Sequence, residues 1–168
     1  MTCRVVLVDA CVLINLIHAE RTDLLERLTE YDFRITVHVI EEITRKEQVT
    51  IVKELLERGI LSLESITDLE VILDMENLMK RLDRGEASCV ALACKTGWLV
   101  ATDDGKAGQI TKSCRNPAGI ITTPGLLLKS IREGVISVEE ADRIRETLKK
   151  HRFIMSFKSF RDLKVHHN

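Results

Sequence analysis

Residues 4–18 read RVVLVDACVLINLIH. The first five form a β-branched run, the pattern of a strand buried on both faces. From Ala10 onward the apolar residues take up helical spacing. One acid, Asp9, stands at the joint. A buried strand that runs straight into a helix is the opening of a β–α–β unit, so more such units are expected downstream.

They come in order. Leu24, Leu25 and Leu28 mark one face of a helix over residues 23–30. A strand reads over 32–37, then helical runs over 40–47 and 48–59, closed by Gly59. Residues 60–66 read as a short edge strand. Asp68 is placed to cap a long amphipathic helix over 68–83. Another helix starts near Gly85 and is capped by Gly97. Residues 98–102 read as a strand, 104–114 as a short helix and 118–123 as a strand. Pro124 opens a helix that closes at Gly134, and Ser137 with Glu140 carries the capping-box signal of the next. Strands alternating with helices predict the α/β class: a three-layer α/β/α sandwich with a mainly parallel central sheet.

At 168 residues the chain is long enough to bury a core as one domain. The domain is expected over residues 1–155, with a basic C-terminal tail over 156–168 carrying Lys158, Arg161 and Lys164. The net charge of −1 excludes a chain that binds polyanions by bulk composition, so any nucleic-acid contact needs a local basic face. Aromatics at 4% argue against a base-stacking platform. Five cysteines without a C-x-x-C spacing read as reduced, structural thiols, which suits a reducing cytosol. The N-terminus lacks a signal-peptide layout and no apolar run reaches a membrane span's length. The expectation is a soluble, cytoplasmic protein with no membrane contact.

The acids are informative by position. Asp9 ends the first strand. Glu41 and Glu42 come after the second strand. Glu86 lies in the first turn of the helix at Gly85, and Asp103 and Asp104 end the strand before them. In parallel sheets, ligands bind past the C-terminal strand ends. Each acid alone has an ordinary use, since carboxylates in a first helical turn cap free N–H groups and suit the dipole. Gathered in one cleft, four or five carboxylates need a counter-charge, and a hard divalent cation takes oxygen ligands. Such ions activate water and stabilise the leaving oxygen in phosphodiester cleavage. No G-x-G-x-x-G, phosphate-binding loop or G-x-S-x-G is present, and the histidines have no zinc spacing.

The ordered set of motifs resembles the PIN-domain nuclease family. VVLVDACVLINL is similar to its opening strand and helix, VHVIEEI to its second acidic motif and LVATDDGKA to its fourth. RGEASCVALA resembles the third motif of a VapC-like branch, in which a Glu after Gly replaces the more usual Asp. TTPGLLLKSIREGVIS resembles the segment after the fourth motif in that branch. The resemblance implies a parallel α/β/α fold and metal-dependent cleavage of RNA with Mg²⁺ or Mn²⁺. Asp9, Glu42, Glu86 and Asp104 take the positions of catalytic metal ligands, with Asp103 as a helper. Glu42 fits better than Glu41, because the branch has an aliphatic residue, here Ile43, after the acid. Many members are toxins of toxin–antitoxin pairs and are dimeric, so an antitoxin protein and a homodimer are implied partners beside the RNA substrate. Lys106, Thr102 and Asn15 are candidates for substrate contact or for orienting the acids. Two alternatives stay open: a weakly active or inactive PIN-like interaction module, and a structure-specific DNA nuclease.

Overall fold

The computed structural model describes residues 3–114, 116 and 119–163. Strand β1 (Arg4–Val8) runs through the middle of the molecule, with Val6, Leu7 and Val8 fully enclosed. Around it lie β2 (Tyr31–Thr36), β3 (Ser62–Glu64), β4 (Leu99–Ala101) and β5 (Ile120–Ile121). Their order across the sheet is β3-β2-β1-β4-β5, and every pairing is parallel. Val6 lies opposite Phe33 on one side and Leu99 on the other, so the register lines up the apolar runs.

From β1 the chain steps out to β2 and β3, then crosses back past β1 to β4 and β5. Right-handed crossovers in opposite directions put the connecting helices on opposite faces. Helices α1 (Ala10–His18), α2 (Asp23–Arg27) and α4 (Lys46–Glu57) belong to the first set. Helices α5 (Leu69–Leu78), α6 (Arg84–Thr96) and α7 (Gly105–Lys112) belong to the second, with α6 packed on α5 and α7. Short α3 (Val37–Glu42) lies against α6. After β5, α8 (Thr123–Arg132) and α9 (Val138–Lys150) return to pack on α1. The result is the expected three-layer sandwich.

Local chemistry moves several boundaries. The helix expected from residue 40 begins earlier, because the Thr36 hydroxyl accepts from Val39 N (3.2 Å) and caps α3 at its start. The buried Ile43 adopts extended backbone and separates α3 from α4. Asp68 caps α5 as expected, accepting from the amides of Glu70 and Val71. Gly97 closes α6 at φ 75°, a left-handed turn that suits glycine. Both bonds of the Ser137–Glu140 capping box are made, at 3.1 and 2.8 Å.

Residues after α9 stay attached to the domain. Phe160 is fully buried and meets Phe157 edge-on at 4.9 Å. The Asp142 carboxylate accepts from Ser159 Oγ (2.6 Å) and Phe160 N (2.9 Å). Lys164 lies outside the described residues. Among the described residues, no helix is long and apolar enough to cross a membrane.

Cys94 on α6 and Cys114 just past α7 are joined by a disulfide, with Cα atoms 5.5 Å apart. This corrects the expectation of five reduced thiols. The two lie 20 residues apart and meet only because α6 packs on α7, a tertiary contact no local spacing announces. Cys3, Cys11 and Cys89 are free. Alkylation in denaturant without reductant should therefore label three of the five cysteines, and all five after reduction, read by intact mass. Five labels without reductant would contradict the pairing.

Candidate metal centre at the strand ends

Asp9 sits where β1 stops, with its amide donating to Ala101 O (2.9 Å) at the end of β4. In the strand order β3-β2-β1-β4-β5, this is where the direction of travel across the sheet reverses, the usual place for a ligand crevice. Asp9 is 2% exposed. Its Oδ1 accepts from Ala10 N (2.8 Å), and its Oδ2 accepts from Thr102 Oγ1 (3.0 Å) and Cys11 Sγ (2.9 Å). The enclosed Thr102 hydroxyl also accepts from Asp104 N (3.1 Å), so one side chain ties the first acid to the fourth.

Asp104 caps α7, with Oδ1 accepting from Ala107 N (2.7 Å). Glu42 is the last residue of α3, and its Oε1 accepts from Gly85 N (2.5 Å) at the start of α6. A Cβ at Gly85 would lie 2.7 Å from Glu42 Cδ, so a larger residue there would push the Glu42 carboxylate aside. Glu41 points elsewhere and faces His38 Nδ1 at 3.5 Å. Glu86 reaches back to Asp83 N through Oε2 (3.2 Å). The second oxygens of Glu42, Glu86 and Asp104 accept no hydrogen bond among the described residues.

Asp9, Glu42 and Glu86 line one cleft of about 540 Å³, together with Cys11, Ile14 and Arg84. Asp104 adds its charge from the β4 side, felt at both Asp9 and Glu86. Burial, first of all, pushes Glu86 up to about 7, and the charges of Asp9, Asp104 and Asp83 add to it. Burial also raises Glu42, with Asp9 and Asp83 adding to the effect. Asp9 is raised by burial against the opposing pull of its Cys11, Thr102 and Ala10 hydrogen bonds. Among the described residues, no three His, Cys, Asp or Glu groups converge tightly enough to hold one ion. Each acid rests on a backbone amide instead. The donor set nonetheless fits a hard divalent cation: carboxylate oxygens from four segments, three with an oxygen that accepts no hydrogen bond among the described residues.

Asp103 turns the other way. Its Oδ1 accepts from Thr123 N (2.7 Å), and its Oδ2 accepts from Thr123 Oγ1 (2.5 Å) and Asn15 Nδ2 (3.1 Å). Asn15 and Asp103 are thus brought to each other and to the start of α8. Lys106 is exposed at the head of α7 and donates to Arg81 O (3.4 Å), in the turn before α6.

Three participants escape a reading of the sequence. Cys11, which reads there as a small hydrophobe, donates to Asp9 and accepts from Asp103 N (3.3 Å); its position two residues after Asp9 is the available signal. Thr123 and Gly85 act through backbone and hydroxyl groups, whose partners are set by the fold rather than by local pattern.

A family model described as PIN domain matches residues 5–166. The chain belongs to the PIN-domain family. A solved structure, PAE2754 from Pyrobaculum aerophilum, superposes with a TM-score of 0.51 at 21% identity, covering 77% of this chain and 97% of that one. At that identity the likeness shows the fold. A comparison with curated proteins finds no match. PIN domains are generally metal-dependent nucleases.

The raised carboxylates give a pH dependence of known sign. A folded pKa above the unfolded one means the folded chain holds more protons in that interval, so stability falls as pH rises through it. For Glu86 the interval runs from 4.5 to about 7. In chelator, the unfolding midpoint of this PIN domain should therefore contain a component that falls across that range. Glu86→Gln should flatten it, and Mg²⁺ or Mn²⁺, which favours the ionised acids, should oppose it. Equal pH slopes for parent and Glu86→Gln in chelator would count against a Glu86 raised by burial.

Proposed function

We propose that the chain is a metal-dependent ribonuclease that hydrolyses RNA phosphodiester bonds with Mg²⁺ or Mn²⁺. The observation that carries this reading is a cleft at the switch point of a PIN domain lined by Asp9, Glu42 and Glu86, with the charge of Asp104 felt at Asp9 and Glu86. These carboxylates would hold the ion. When bound, it supplies polarisation of a phosphoryl oxygen and eases deprotonation of water. Glu86, pushed up to about 7 by burial, is suited to accept the proton of the attacking water. Arg84, in the lining of the cleft, and Lys106, two residues after Asp104, are suited to a polyanionic substrate. Asp103 and Asn15 serve by clasping β4 to α8.

The RGEASCVALA motif extends the proposal to the toxin of a toxin–antitoxin pair, acting as a homodimer and held by an antitoxin protein. The interaction-module alternative has one observation in its favour: Leu69 and Leu73 are 68% and 55% exposed on α5.

The test is a panel of single-stranded and structured RNAs, with DNAs of the same sequence, incubated with Mg²⁺, Mn²⁺ or chelator. Cleavage of RNA that needs the metal supports the proposal. Cleavage of DNA alone moves the assignment to the DNA nuclease. Metal binding without any cleavage favours the module.

A further inference from the structure

The hydrogen bonds around Gly85 close into a ring that joins α3 to α6. Gly85 N donates to Glu42 Oε1 (2.5 Å), and Gly85 O accepts from Ser88 Oγ (2.6 Å). Ser88 Oγ lies 2.7 Å from Thr36 Oγ1. Since the Ser88 proton is committed to Gly85 O, Thr36 donates to Ser88. The Thr36 oxygen in turn accepts from Val39 N (3.2 Å) and so caps the helix that ends at Glu42. The circuit runs from Glu42 to Gly85, Ser88, Thr36 and back along α3.

Thr36 and Ser88 are both fully buried. An apolar pair could fill the same space, but it would let α3 slide on α6, whereas paired hydroxyls fix one register. A six-residue helix cannot hold its own course, so α3 depends on such ties. Glu86 comes directly after Gly85, so a ring through Gly85 fixes both acids at once. The space a Cβ would need at Gly85 is taken by the Glu42 carboxylate, which keeps the two acids close.

We propose that Thr36 and Ser88 are positioning residues for the divalent cation: their hydroxyl pair sets the spacing of Glu42 and Glu86, and with it the ion's affinity, without touching the ion. The inference rests on the metal-dependent reading above and names residues outside its ligand set.

The experiment is Mn²⁺ titration of the full chain by electron paramagnetic resonance, beside urea unfolding in chelator. Thr36→Val and Ser88→Ala both remove the Thr36–Ser88 bond, the first with the Val39 cap and the second with the bond to Gly85 O. Each should raise the Mn²⁺ dissociation constant of the folded protein by about 10- to 100-fold, the usual cost of losing a group that orients ligands. Thr36→Ser keeps the hydroxyl and should restore parent affinity. A role confined to stability would shift the urea midpoint and leave the Mn²⁺ constant unchanged, and that result overturns the proposal. Should one variant fail to fold, the other breaks the same ring and decides the matter. A parent that binds no Mn²⁺ overturns the metal reading and this inference with it. A parent that binds, with variants that bind equally, overturns the inference alone.

Discussion

Asp9→Asn is expected to remove metal-dependent cleavage and leave the fold standing. A bound cation contributes several kcal/mol to transition-state stabilisation, and each 1.36 kcal/mol is tenfold in rate, so the loss should be ~10³-fold or more. The fold survives because Asn keeps the capping oxygen: the Asp9 Oδ1 position still accepts from Ala10 N. The amide nitrogen takes the place of Oδ2, and the Thr102 hydroxyl can rotate to accept from it. Asp9 is held above the ordinary carboxylate range by burial, so removing its charge costs the metal-free protein little. Cleavage assays with Mn²⁺ and urea unfolding in chelator, run on the same preparations, check both halves. A variant that cuts at the parent rate would show that Asp9 is not a ligand; one that does not fold would show that its charge is structural.

Thr102→Val is the second large effect, and it acts at two levels. The hydroxyl donates to Asp9 and accepts from Asp104 N in an enclosed site. Valine fills the same volume but leaves the half-buried Asp104 amide and the buried Asp9 carboxylate each short of a partner, a cost of about 1 kcal/mol in stability. The same change frees both acids from each other, which should weaken Mn²⁺ binding by about 10- to 100-fold. Thr102→Ser keeps the hydroxyl and should retain most of both. Urea midpoints and Mn²⁺ titrations separate the two levels. Loss of stability with unaltered Mn²⁺ affinity would confine Thr102 to the fold.

The architecture is largely legible in the sequence because strand and helix periodicities differ, and buried parallel strands such as Val6–Val8 read as unbroken apolar runs. Boundaries are less so. Thr36 as an N-cap and Ile43 turned inward are decided by tertiary partners, not by local spacing. The acids stand out by their position at strand ends. The relation between their two uses does not. Capping and metal binding look like rivals along the chain, yet Asp104 gives one oxygen to Ala107 N and keeps the other, and Glu42 and Glu86 do the same with Gly85 N and Asp83 N. A carboxylate has two oxygens, so both roles fit one side chain. Asp103 carries the same sequence signal as Asp104, but the backbone between them points their side chains to opposite sides of the strand end.

The sheet ends in very short strands, three residues in β3 and two in β5. Glu64 on β3 is further tied to Arg34 at 2.9 Å. Such margins offer a neighbouring polypeptide almost no ladder to extend, and a charged, truncated border is how native sheets resist templated fibril growth. Self-association of this chain is therefore steered away from strand addition. Any pairing of copies is left to side chains on the helices, and a self-complementary helical face closes at a defined number of subunits instead of propagating.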